Sequence, residues 1–234
     1  MTLRPEERLI VALDVETVDQ AERVVQQMAP LGIRHFKVGL NLFTLAGPAA
    51  VERVHRAGGK VFLDLKFHDI PNTVANAVRA AAQLKVWMAN VHIQGGSAMM
   101  RSALVAAQGN GLLLIGVTVL TSMADKDLEE VGVRNPLQTQ ALALAKLAAA
   151  AGLNGVVASA QEAAAIRGAC GDKFLIVTPG IRPKGKEAHD QQRIAGPLEA
   201  IRAGADYLVV GRPILEAPDP AVVAGQILEE CSKA

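Results

Sequence analysis

A single (β/α)8 barrel is the fold this sequence predicts, on three observations. Short apolar runs alternate with helical stretches from one end of the chain to the other, eight runs in all. The length of 234 residues suits one large α/β domain better than two small ones, and no linker, low-complexity tract or shift in composition divides residues 1–234. Half of the residues are hydrophobic, enough for a large core. A doubly wound open sheet is the competing architecture, but no Gly-x-Gly-x-x-Gly turn follows the first run.

The strand-like runs lie at 9–15, 35–40, 60–67, 88–93, 112–120, 155–159, 174–179 and 207–212. In the first, Leu9, Val11, Leu13 and Val15 share one face and Asp14 takes the other. Thr17 is a suitable N-cap for a helix reaching Met28. In the second run, Lys37 faces away from Phe36, Val38 and Leu40. In the third, Val61, Leu63, Leu65 and Phe67 face one way, and Phe62, Asp64 and Lys66 the other; Asp69 lies just beyond. The fourth run carries His92 on its inner face, as a ligand contact or a satisfied core histidine. The fifth ends at Thr121-Ser122, whose hydroxyls could bond a polar heterocycle, or Ser122 could cap the next helix. Gln138–Ala151 reads as a helix stopped by Gly152. After the seventh run comes a long, polar, basic stretch, Gly180–Arg193, which reads as a lid over ligand rather than a merely solvated loop. The eighth ends in Gly211-Arg212, and Asp219-Pro220 opens a closing helix to Glu230.

Three successive strands thus send charge to the face opposite their apolar stripe, near the strand ends where barrel enzymes carry their sites. An inward array of Asp14, Lys37, Asp64 and Lys66 would be mutually compensating, each lysine kept charged by a carboxylate and each carboxylate by a lysine. A purely structural salt-bridge network is the weaker reading, because buried pairs add little stability and barrel interiors are normally filled by Val, Ile and Leu. The array suits a reaction that passes through a carbanion and needs a positioned acid. The loops after strands seven and eight commonly hold phosphate in this fold. There Gly211 would let backbone N–H groups approach an anion, and Arg212 would clamp it, joined by Arg182 and the Gln191 region.

Composition excludes other classes. A formal net charge of +1 gives no general pull toward nucleic acid or membrane, and 3% aromatic residues leave little for base stacking. Cys170 and Cys231 are far apart and fit no metal or redox spacing, and the histidines form no ligand set with nearby acids, so nothing in these residues requires a metal. Asp14 interrupts the first apolar run, so neither a signal peptide nor a membrane span is read. A cytoplasmic protein is expected.

The segment Asp64-Leu65-Lys66-Phe67-His68-Asp69-Ile70-Pro71-Asn72-Thr73 closely resembles the signature of the orotidine 5′-phosphate decarboxylases. Val11–Asp14, Phe36–Gly39, Leu120–Ser122, Thr178–Pro183, Asp190–Arg193 and Val210–Pro213 resemble the bacterial form of that family in the same order, across essentially the whole chain. The resemblance implies decarboxylation of orotidine 5′-monophosphate to uridine 5′-monophosphate without cofactor or metal. It implies that Lys66 gives the proton to C6, that Asp64 sits beside the departing carboxylate, and that Lys37 and Asp14 hold the ribose hydroxyls and the charge array. Asp69 and the Ile70–Thr73 turn would reach into the site of a partner in a homodimer. Thr121 or Ser122 would contact the pyrimidine, and Arg182, Gln191, Gly211 and Arg212 the 5′-phosphate. Metal-dependent sugar-phosphate decarboxylases and aldolases of the same superfamily share the Asp-x-Lys-x-x-Asp strand and remain the alternative, though the His68–Thr73 continuation argues against them.

Overall fold

The computed structural model describes residues 3–183 and 193–234. Eight parallel strands close into a barrel in chain order, with β1 paired to both β2 and β8. They are β1 (Leu9–Ala12), β2 (His35–Gly39), β3 (Lys60–Phe67), β4 (Met88–His92), β5 (Leu113–Val117), β6 (Gly155–Val157), β7 (Leu175–Thr178) and β8 (Tyr207–Val210). The helices before β4 are α1 (Pro5–Arg8), α2 (Val18–Met28), α3 (Leu40–Ala46), α4 (Pro48–Arg56) and α5 (Pro71–Gln83). Those up to β7 are α6 (Gly96–Ala107), α7 (Asp125–Glu130), α8 (Leu137–Ala151) and α9 (Ala160–Cys170). The last are α10 (Pro197–Arg202), α11 (Arg212–Leu215) and α12 (Pro220–Cys231).

The helix ends follow local chemistry. Thr17 accepts the Gln20 N–H at 3.2 Å while the Gln20 side chain takes the Thr17 N–H at 3.1 Å, a reciprocal cap on α2. Gly152 ends α8 at φ 94°, where an L side chain would be strained. Asp219 caps α12, accepting from Ala221 and Val222 at 3.0 and 3.2 Å.

Most strands stop short of their apolar runs at the C-terminal end. β1 ends at Ala12 rather than 15, β5 at Val117 rather than 120, and β8 at Val210 rather than 212. Leu13 and Thr118 each donate one more bond, to the Lys37 and Val157 carbonyls at 2.9 and 3.3 Å, before the chain turns over the barrel mouth. Beyond that point Asp14, Val119, Leu120, Gly211 and Arg212 line the mouth rather than extend a strand, so apolar patterning overstates the strand.

Alternation sorts the core into two layers. Leu9, Val11, Phe36, Val38, Val61 and Leu63 pack outward under the helices. Ile10, Ala12, Phe62, Met88, Ile115, Val177, Tyr207 and Val209 fill the barrel. At its N-terminal end His35 stacks on Trp87, with ring centroids 4.1 Å apart, and Tyr207 meets both edge-on. His35 is 8% exposed, and burial followed by the Lys60 charge lowers its pKa to about 4. Above pH 6.5 neither folded nor unfolded His35 is charged. Below it the unfolded chain takes up a proton that the folded one refuses until about pH 4, so stability falls through that window. From pH 7 to pH 5 the expected loss is about 2 kcal/mol. Urea unfolding followed by Trp87, the single tryptophan, measures it. His35→Phe should flatten this part of the pH dependence, and an unchanged slope would show that other groups carry it.

Candidate active site

The C-terminal mouth of the barrel gathers the inward charges into one line. Lys37 Nζ lies 3.1 Å from Asp14 Oδ1 and 3.4 Å from Asp64 Oδ2. Lys66 Nζ donates to Asp64 Oδ1 at 2.7 Å. The order in space is therefore Asp14, Lys37, Asp64, Lys66, with signs alternating. The middle pair is the drier, since the Lys37 and Asp64 side chains are each 12% exposed, against 53% for Asp14 and 28% for Lys66.

Electrostatics favours ionisation of the middle pair. Burial alone would lower the Lys37 pKa, but the Asp64 and Asp14 carboxylates outweigh it and the net shift is upward. Burial alone would raise that of Asp64. The Lys37 and Lys66 charges, with hydrogen bonds from Lys66 and Asn90, overturn that and hold it below the usual carboxylate range. Gly39 leaves the room this requires, because a Cβ there would stand 2.9 Å from Lys37 Nζ and 3.4 Å from Asp14 Oδ1.

One pocket is lined by these four residues and by Thr121, Ser122, Arg182, Gly211 and Arg212. The charge array thus shares a cavity with Arg182 and Arg212, although they come from β1, β2 and β3 on one side and the segments after β7 and β8 on the other. Thr121 and Arg182 are each 8% exposed. Gly211 is the N-cap of the four-residue α11, which Arg212 opens. Gln191 lies outside the described residues, as does 184–192 of the expected lid.

Asp69, Ile70 and Thr73 lie elsewhere. All three are exposed, and Asp69 accepts the Ile70 N–H at 2.6 Å. Asp69 and Thr73 line a separate shallow depression together with Lys66 and His68. His92 does not line the main pocket; it is half-buried with its ring centroid 5.5 Å from that of His68. Thr118 donates to the Val157 carbonyl at 2.9 Å and belongs to the barrel wall.

Sequence reasoning missed three supporting residues. Asn90, fully buried on β4, donates to Asp64 Oδ1 at 2.7 Å and accepts the Lys66 backbone N–H at 2.8 Å. Its inward place between Met88 and His92 was the available signal, a polar residue among apolar ones. The other two are Glu162 and Arg193, 2% and 8% exposed and paired at 2.6 Å. Arg193 also donates to the Val119 and Leu120 carbonyls at 3.3 and 2.9 Å, and Glu162 accepts the Ser159 N–H at 3.0 Å. Two residues on, Ala195 accepts the Arg182 N–H at 2.9 Å. This buried bracket ties the segment after β7 to those after β5 and β6, and no spacing in the sequence relates positions 162 and 193.

Among the described residues no group of three or more His, Cys, Asp or Glu is placed to hold a metal ion. No described helix is long and apolar enough to cross a membrane.

Known proteins resemble this chain in sequence and fold. Residues 7–227 match the family described as Orotidine 5'-phosphate decarboxylase / HUMPS family. The orotidine 5'-phosphate decarboxylase of Sodalis glossinidius is 52% identical over 225 residues, covering 95% of this chain and 89% of that one. That of Moorella thermoacetica is 50% identical over 236 residues, covering 97% and 93%. The crystal structure of orotidine 5'-phosphate decarboxylase from Lactobacillus acidophilus superposes with a TM-score of 0.83 at 39% identity, over 95% of this chain and 98% of that one. By sequence along nearly its whole length and by its closed barrel, this chain belongs to the orotidine 5′-phosphate decarboxylase / HUMPS family.

Proposed function

We infer that this protein removes CO2 from C6 of orotidine 5′-monophosphate, giving uridine 5′-monophosphate in the last step of de novo pyrimidine synthesis. The observation that carries the reading is the alternating line Asp14–Lys37–Asp64–Lys66 at one end of a pocket with Arg182 and Arg212 at the other. The relatives at 50 to 52% identity bear the decarboxylase name, which separates this activity from the sugar-phosphate chemistry of the wider superfamily.

In this reading the pyrimidine lies between Lys66 and the Thr121–Ser122 hydroxyls, with its carboxylate beside Asp64. The C6–carboxylate bond breaks, its electron pair stays on C6, and neutral CO2 departs. The Lys66 ammonium gives its proton to C6, and the resulting amine regains one from water. Negative charge moves away from Asp64 and toward Lys66, so a fixed field from the array favours the transition state over the ground state. Lys37 and Asp14 hold the ribose hydroxyls. Arg182, Gly211 and Arg212 hold the phosphate, far from the bond that breaks, where binding energy can offset the cost of desolvating the reacting end. No step calls on a cofactor or metal, because the ammonium supplies the acid and Lys37 already occupies the space between the Asp14 and Asp64 carboxylates.

We assign Asp69 and the Ile70–Thr73 turn to the site of a second copy in a homodimer. Their exposure outside the main pocket supports this, as does Ile70, an apolar side chain left 68% exposed beside a charged centre. A cytoplasmic location is in keeping with Cys170 and Cys231, both free thiols.

The deciding experiment follows ultraviolet loss of orotidine 5′-monophosphate with and without excess EDTA. Turnover to uridine 5′-monophosphate that ignores EDTA is expected. A folded sample without turnover, or turnover abolished by EDTA and restored by magnesium, would overturn the reading.

A further inference from the structure

β3 and β4 fall out of register where the site is built. Leu63 stands opposite Ala89 and Phe67 opposite Val91, so Asp64, Leu65 and Lys66 together face the single residue Asn90. Lys66 sits in this bulge at φ 50°, in the left-handed region that a lysine rarely adopts. Its backbone N–H donates to Asn90 Oδ1 at 2.8 Å. The other end of the same amide donates to Asp64 Oδ1 at 2.7 Å, the oxygen that also takes Lys66 Nζ.

The chemistry at position 90 is narrowly defined. A backbone N–H can only donate and an ionised carboxylate can only accept, so the group between them must do one of each on opposite sides. A carboxamide does this in one orientation. A carboxylate would meet Asp64 as a second anion, and an apolar group would leave the Lys66 N–H without this acceptor and take one donor from Asp64 in a buried place.

Resting on the decarboxylase reading, we propose that Asn90 is a positioning residue for the reaction: its amide holds the Lys66 backbone in the bulge and the Asp64 carboxylate beside it, and so sets where the Lys66 ammonium meets the reacting carbon. Asn90 lines no part of the substrate pocket, so it acts through its two partners. Its removal should slow the chemical step and leave binding of the distant phosphate nearly intact.

The test compares kcat and KM for wild type, Asn90→Ala and Asn90→Asp across pH. Asn90→Ala should lose about 10²-fold in kcat, the scale of a misplaced catalytic group, with KM changed less than about threefold. Asn90→Asp keeps the shape and the acceptor but faces Asp64 as a carboxylate. It should be slow at neutral pH and recover relative to wild type as acidification protonates the new carboxyl, which then donates to Asp64. A wild type without turnover sinks the decarboxylase reading itself. An active wild type sinks the proposal alone in three cases: Asn90→Ala keeps kcat within about threefold of wild type, Asn90→Asp keeps a constant ratio to wild type across pH, or Asn90→Asp is unfolded at every pH. The last would make Asn90 a residue of the fold and not of the site.

Discussion

Lys66→Ala is expected to lower turnover of orotidine 5′-monophosphate by about 10⁴-fold or more while the chain stays folded. In the proposed reaction this side chain supplies the proton for C6 and the positive charge toward which the electron pair develops. Among the described residues the other lysine lining the pocket does not replace it: Lys37 Nζ is committed between Asp14 and Asp64. The fold should tolerate the loss. The Lys66 side chain is 28% exposed, and Asp64 keeps Asn90 at 2.7 Å and Lys37 at 3.4 Å. Single-turnover loss of substrate absorbance with far-ultraviolet circular dichroism on the same sample measures both halves. Turnover above about a hundredth of wild type would end the proton-donor assignment. The same variant tests the dimer. Mixed with Asp69→Ala subunits at random pairing, it should regain activity at about a quarter of sites, because one site of each mixed dimer draws both residues from intact copies. No recovery despite demonstrated subunit exchange would return Asp69 to its own subunit.

Arg212→Ala should separate the two ends of the pocket. A forked, permanently charged guanidinium on a phosphate contributes about 3 kcal/mol, which is about 10²-fold in kcat/KM. That loss should appear with the natural nucleotide and nearly vanish with orotidine, the substrate lacking phosphate. The geometry supports the split. Arg212 opens α11 after β8, on the wall of the pocket that Gly211 and Arg182 share, whereas Lys66 and Asp64 come from β3. Equal losses on both substrates would show that Arg212 supports the barrel rather than the phosphate.

Much of this site was legible because a strand has a period of two. Asp14, Lys37, Asp64 and Lys66 each break an apolar alternation on one face, and parallel strands that follow one another in a barrel bring such breaks to the same mouth. Gly211 and Arg212 were legible from their place after the eighth run. What escaped was whatever depended on departure from the regular strand or on partners distant in sequence. The bulge at Leu63–Phe67 looks like any other piece of strand, since nothing in Leu65 or Lys66 announces a left-handed residue. Asn90 is a single polar residue whose meaning appears only when β3 lies against β4. Glu162 and Arg193 meet through the turn geometry of three loops.

The sequence by itself determined the barrel, the direction in which each charge faces and the end at which the charges gather, because these follow from periodicity and from the order of the elements. Only the tertiary structure decided which oxygen each lysine takes, that Asp69 stands outside the main pocket, and that one buried carboxamide serves Lys66 and Asp64 together. Those depend on register and burial, where shifting one strand by a residue would exchange every partner.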